Sequence, residues 1–294
     1  MPPRTLGLIL ALSLAPAFFA QTETGVPAGN IQTVKFQSAA LGQERAFNIA
    51  LPGGYEKSPR RYGVLYLLHG LGDNHMMWSL RSNVAAYAER GSVIVVMPDA
   101  SRSFYVNSAA DEKARFEDYI AQDLVDYVDA HYRTLPVRRS RAVAGLSMGG
   151  YGAMFLGLKH YRRFAAIGAF SGALGASHDW PEPASDAGRG LRHRAEIEAL
   201  FGAPGTATRR ERDPFLLVEK VPAGEMPFLY LACGGQDFLV AENRAFVELL
   251  AKKGIPYEYR EISPRVHSWD FWDDHLRVFM NLLPRLSGFQ RERQ

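Results

Sequence analysis

The chain has 294 residues, 47% of them hydrophobic and 22% charged, so a soluble globular protein with an ample core is expected and a disordered or repetitive chain is excluded. The formal net charge of +3 is small for this length, and Lys and Arg cluster only in pairs such as Arg138-Arg139 and Arg209-Arg210, which argues against a nucleic-acid partner. A single cysteine, Cys233, excludes an internal disulfide and sits in an apolar run that reads as core.

The first element in chain order is a secretion signal at residues 1–20. Arg4 supplies the positive charge, residues 6–14 are apolar, and the small residues Ala15, Ala17 and Ala20 follow, placing cleavage between Ala17 and Thr22. The apolar run is too short for a stable membrane anchor, and no cysteine near it suggests lipid attachment. The mature chain is therefore expected outside the cytoplasm, secreted or periplasmic. Residues 33–37 and 46–51 read as two strands joined by a polar turn, hence an antiparallel sheet edge. Residues 62–68 and 92–97 are strongly apolar, as parallel strands buried on both faces are.

A helix is expected over 77–89 and a clearer one over 116–132, where apolar residues recur every three or four positions. Strands at 140–146, 164–170, 228–233 and 257–262 alternate with helices at 151–160, 241–253 and 269–286. This alternation predicts an α/β fold: a mostly parallel central sheet with helices on both faces and an antiparallel N-terminal edge. Residues 171–224 break the rhythm, being rich in Gly, Pro, Ala and charge, and read as a cap-like insertion in a single domain spanning 21–294.

Gly145-Leu146-Ser147-Met148-Gly149 lies between a strand and a helix. A serine in a sharp strand–turn–helix needs small residues two positions away on each side, which is the pattern of a nucleophile elbow in the α/β-hydrolase fold. A serine hydroxyl also needs a base, and the base needs an orienting acid, in the order serine, acid, histidine along the chain. Asp237, just past the strand 228–233, is the candidate acid, with Glu242 and Asp270 as rivals on predicted helices. His267, in the loop before the closing helix, is the best placed of eight histidines. Oxyanion donors are expected from the backbone N–H of Met148 and from the loop His69-Gly70-Leu71-Gly72, where Leu71 is preferred and Gly72 is the rival.

Four segments go beyond the elbow: Leu67-Leu68-His69-Gly70 with Trp78; Met97-Pro98-Asp99 with Ser103-Phe104-Tyr105; Gly145 to Ala153; and His267-Ser268-Trp269-Asp270-Phe271-Trp272. Together with Phe116-Glu117-Asp118-Tyr119-Ile120, they resemble the esterase D-like family, which includes S-formylglutathione hydrolases, feruloyl and acetyl-xylan esterases and mycolyltransferases. The resemblance implies a Ser147–Asp237–His267 triad, no metal and no organic cofactor. Taken with the signal segment, the resemblance implies a secreted serine carboxylesterase acting on small-molecule or polysaccharide esters, feruloyl and acetyl esters of carbohydrate among them. Trp78, Tyr105 and Trp269 are candidates to line an aromatic-friendly cleft. The alternatives are acyl transfer to a sugar hydroxyl, a formylglutathione-type thioesterase, and a non-catalytic carbohydrate-binding module.

Overall fold

The computed structural model describes residues 31–91, 93–180, 191–286 and 289. The signal segment read at 1–20 and residues 181–190 of the insertion lie outside the described residues. Among the described residues, eight strands form one sheet: β1 (Ile31–Ser38), β2 (Gln43–Ala50), β3 (Gly63–Leu68), β4 (Val93–Pro98), β5 (Arg141–Leu146), β6 (Ala166–Phe170), β7 (Phe228–Gly234) and β8 (Glu258–Ile262). Their spatial order is β1-β2-β4-β3-β5-β6-β7-β8. β1 and β2 pair antiparallel, β2 joins β4 antiparallel, and every other pair is parallel.

The parallel strands β3, β4, β5 and β6 are buried along their whole length, because helices cover both faces. Alternate residues of β3 enter opposite cores. Val64, Tyr66 and Leu68 pack with the helices at 116–131, Met148–Lys159 and Val240–Lys253, whereas Leu65 and Leu67 pack with Trp78, Val84–Arg90 and Trp269–Leu282.

The helix expected over 77–89 is two helices, Met77–Arg81 and Val84–Arg90. Ser82 between them is extended, and the Asp273 carboxylate accepts hydrogen bonds from the backbone and side chain of Asn83, so polar capture outweighs helix propensity there. The helix at 116–131 is continuous but passes through a π-helical stretch, Tyr119–Leu124. Beneath it the buried Glu117 binds Lys159 and His160 at the end of the elbow helix, at 2.9 and 2.8 Å. Burial works against the charged Glu117, yet these two partners hold its carboxyl below the ordinary value.

The described part of the insertion packs against the elbow helix and the loop after β4. Ala109 and Ala110 donate to the carbonyls of Leu200 and Ala199, and Phe201 packs edge-on against Phe104 and Tyr151. Cys233 is a buried free thiol whose pKa burial pushes up to about 12, which keeps it protonated and unreactive.

His275 is buried beside Tyr230, whose hydroxyl lies 2.7 Å from its Nδ1. Burial lowers its pKa to about 4, with Arg265 and Arg260 acting in the same direction and Asp274 opposing. A depressed imidazole stays neutral in the fold while the unfolded chain takes up the proton. Stability is therefore lost as pH falls from about 6.5, the ordinary histidine value, towards about 4. Melting temperatures measured across this window should fall for the protein and fall less for His275→Gln, which keeps an acceptor for Tyr230 but does not titrate.

Candidate active site

The carboxyl ends of β5, β6, β7 and β8 lie along one edge of the sheet, because these strands are parallel neighbours. Ser147 follows β5 directly, with φ 52° and ψ −116°, and caps the helix Met148–Lys159. A non-glycine residue at positive φ is strained by roughly 1–3 kcal/mol, and such strain persists only where the surroundings over-determine it. Here the Ser147 N–H donates to the Phe170 carbonyl at 2.9 Å, and its own carbonyl accepts from Tyr151 and Ala173. A Cβ at Gly149 would stand 2.4 Å from the Leu68 carbonyl oxygen and 2.7 Å from that of His69; at Gly145 it would stand 2.5 Å from Gly149 itself. The small residues of the elbow are thus required by backbone contact.

The candidate oxyanion loop follows β3. His69 is buried, its Nε2 accepts from the Ala100 N–H at 3.0 Å, and its Nδ1 lies 2.8 Å from the Gly70 carbonyl. Because an amide N–H can only donate, Nε2 carries the lone pair and Nδ1 the proton. Burial lowers the His69 pKa, in keeping with a neutral ring. The Met148 N–H opens a helix and has no intrahelical partner. Leu71 is 42% exposed, and among the described residues its N–H makes no backbone hydrogen bond.

Asp237 and His267 come from the loops after β7 and β8. Those loops are joined by backbone bonds, Gly235 N–H to Ile262 and Gln236 N–H to Arg265, both 2.9 Å. Gly234 permits the approach, since a Cβ there would meet the Arg265 carbonyl oxygen at 2.3 Å. The Asp237 carboxylate faces His267 Nδ1 with both oxygens, at 2.9 and 3.1 Å. Burial opposes its ionisation, but hydrogen bonds from His267, the Leu239 N–H and Ser171 outweigh it and hold the pKa below the usual aspartate value. Among the described residues no hydrogen bond joins Ser147 Oγ to the imidazole; such contacts commonly tighten only when substrate binds. The rival acids are occupied elsewhere: Glu242 accepts from the Gly175 N–H, and Asp270 binds Arg265 and Ser268.

Two of the expected cleft residues are core. Trp78 is 1% exposed and donates its indole N–H to the Leu68 carbonyl at 3.0 Å. Tyr105 is fully buried; its hydroxyl donates to the His69 carbonyl at 2.9 Å and its ring fills the space beside Gly152. Both hold the oxyanion loop from behind. Their aromatic character in the sequence suggested a cleft, but at this edge of the sheet it serves packing. Trp269 is half-buried between Trp78 and Trp272. Sequence reasoning missed Trp272 and Phe238 as neighbours of the imidazole, with ring centroids 4.8 and 4.5 Å from it. The only available signal was their nearness in sequence to His267 and Asp237.

A mostly parallel sheet with a strained serine elbow and an Asp–His pair on the following strands defines an α/β-hydrolase. The Esterase family model matches residues 38–280. The chain is 31% identical over 232 residues to the acetyl esterase of Caldicellulosiruptor saccharolyticus, covering 76% of this chain and 84% of that one. It is 28% identical to an esterase of Mycobacterium tuberculosis over 78% of this chain and 54% of the relative. Among solved structures, the fluorophosphonate-binding serine hydrolase F of Staphylococcus aureus superposes with a TM-score of 0.74 at 26% identity, covering 87% of this chain and 98% of that one. A ferulic acid esterase does so with a TM-score of 0.73 at 25% identity, over 87% and 97%. The chain belongs to the Esterase family and is a serine ester hydrolase.

Gly149→Ala should be among the most damaging single-methyl changes in the protein, since the added carbon meets two carbonyl oxygens of the neighbouring strand end. A loss of about 3 kcal/mol or more in chemical denaturation, or failure to fold, is expected; a stability within about 0.5 kcal/mol of the parent would contradict the elbow geometry.

Proposed function

We propose that this serine ester hydrolase is exported and hydrolyses short-acyl esters of carbohydrate through an acyl-enzyme on Ser147. The observation that carries the reading is the two-oxygen grip of Asp237 on His267 Nδ1, next to an elbow serine on the same sheet edge. With Nδ1–H directed at the carboxylate, Nε2 carries the lone pair and serves as base. It takes the Ser147 proton as Oγ attacks the acyl carbon. The N–H groups of Met148 and Leu71 receive the developing oxyanion. The C–O bond to the alcohol then breaks, and Nε2–H protonates the departing oxygen. Water, activated by the same imidazole, releases the acid and restores Ser147.

Acetyl is the favoured acyl group, supported by likeness to an acetyl esterase along most of its length, and aromatic acyl groups such as feruloyl come next. Export is supported by the charged, apolar and small-residue pattern of residues 1–20.

Ser147→Ala should lower kcat/KM for p-nitrophenyl acetate by about four or more orders of magnitude with unchanged melting temperature, and Asp237→Asn by a comparable factor because the imidazole is left in the wrong tautomer. Equal rates for Ser147→Ala and the parent would end the reading. The export proposal has its own check: protein recovered from outside the cytoplasm of a bacterial host should begin, on N-terminal sequencing, between Ala17 and Thr22, and an intact Met1 would refute it.

A further inference from the structure

We infer that Phe238 recognises the alcohol half of the ester and selects alcohols that offer a flat ring or sugar face. The inference rests on the triad reading above. Phe238 follows Asp237 in a turn fixed by two bonds: the Leu239 N–H donates to Asp237 Oδ1 at 2.9 Å, and the Val240 N–H donates to the Asp237 carbonyl at 3.1 Å. Phe238 is 70% exposed, the most exposed large hydrophobic side chain among the described residues, and it belongs to neither core. Burying a phenylalanine stabilises a fold by about 1.5–3 kcal/mol, so packing gives no reason for an aromatic ring here. Among the described residues its one ring partner is the imidazole of His267, at 4.5 Å and 45° between planes. The other ring against that imidazole, Trp272, is buried and donates to Ser171, so it has a packing role that Phe238 lacks.

The chemistry assigns this position to one half of the substrate. In acylation the bond from Ser147 Oγ to the acyl carbon forms, the bond from that carbon to the alcohol oxygen breaks, and the proton on His267 Nε2 passes to that oxygen. The alcohol must therefore lie beside the imidazole, while the carbonyl oxygen faces the N–H groups of Met148 and Leu71. A ring within contact distance of His267 meets the alcohol, and an exposed phenyl face is matched by an aryl ring or by the C–H face of a pyranose. A small alkyl alcohol is too short to cover it.

The test holds the acyl group constant and varies the alcohol: ethyl acetate, p-nitrophenyl acetate and an acetylated xyloside, with the parent, Phe238→Ala and Phe238→Trp. The preference for the aryl and xyloside esters over ethyl acetate, as a ratio of kcat/KM values, should fall about 3- to 10-fold in Phe238→Ala and be restored in Phe238→Trp. The deacylation rate after a p-nitrophenyl acetate burst should not move, because the alcohol has already left. An equal loss for all three esters would mean that Phe238 only supports the imidazole, and unchanged ratios would place it outside the site; either result overturns the inference. Failure of the triad reading is seen separately, as retained activity in Ser147→Ala.

Discussion

The close backbone contact between the elbow and the end of β3 is the constraint on which the rest of the site depends. The Leu68 and His69 carbonyl oxygens press against Gly149, leaving no room for a side chain. That contact holds Ser147 in a positive-φ turn, brings the oxyanion loop within reach of the serine, and sets the direction of the helix Met148–Lys159. The strain at Ser147 is stabilised by its position between strands buried along their whole length, each with its ladder complete. The candidate nucleophile's hydroxyl is therefore presented by a rigid scaffold instead of a mobile loop.

Around this contact, polar groups are used to hold loops. Tyr105 binds the His69 carbonyl, the His69 ring binds the Ala100 amide, and the Trp78 indole binds the Leu68 carbonyl, so the loop after β4 and the helix after β3 both support the oxyanion loop. On the other side, the acid and histidine loops are joined by backbone bonds before their side chains meet. Asp237 gains its low pKa from this arrangement: a buried carboxylate would otherwise be costly, and three donors offset the penalty. The buried Glu117 with Lys159 and His160 follows the same rule at the far end of the elbow helix, where its role is structural.

Much of the fold was legible because strand and helix periods are local. The apolar runs of β3 to β7 stand out, since strands buried on both faces exclude polar residues, and the short turn between β1 and β2 announces an antiparallel edge. The split at Ser82-Asn83 was not legible, because its cause is Asp273, far along the chain. Trp78 and Tyr105 were misread for a similar reason. An aromatic residue near a catalytic motif looks the same in sequence whether it lines a cleft or fills the space behind it. Phe238 shows the converse: one of many phenylalanines in sequence, it stands out only when its exposure and its contact with His267 are seen together.

By itself the sequence determined the sheet-and-helix alternation, the elbow at Ser147 and the order of the candidate serine, acid and histidine. These are written in short spacings governed by backbone sterics and by the chemistry of activating a hydroxyl. Only the tertiary structure decided which carboxylate meets the histidine, which tautomer His69 adopts, and which aromatic rings face solvent. Those outcomes depend on contacts between loops at the ends of separate strands, and no local pattern encodes the distance between residues 30 or 101 positions apart.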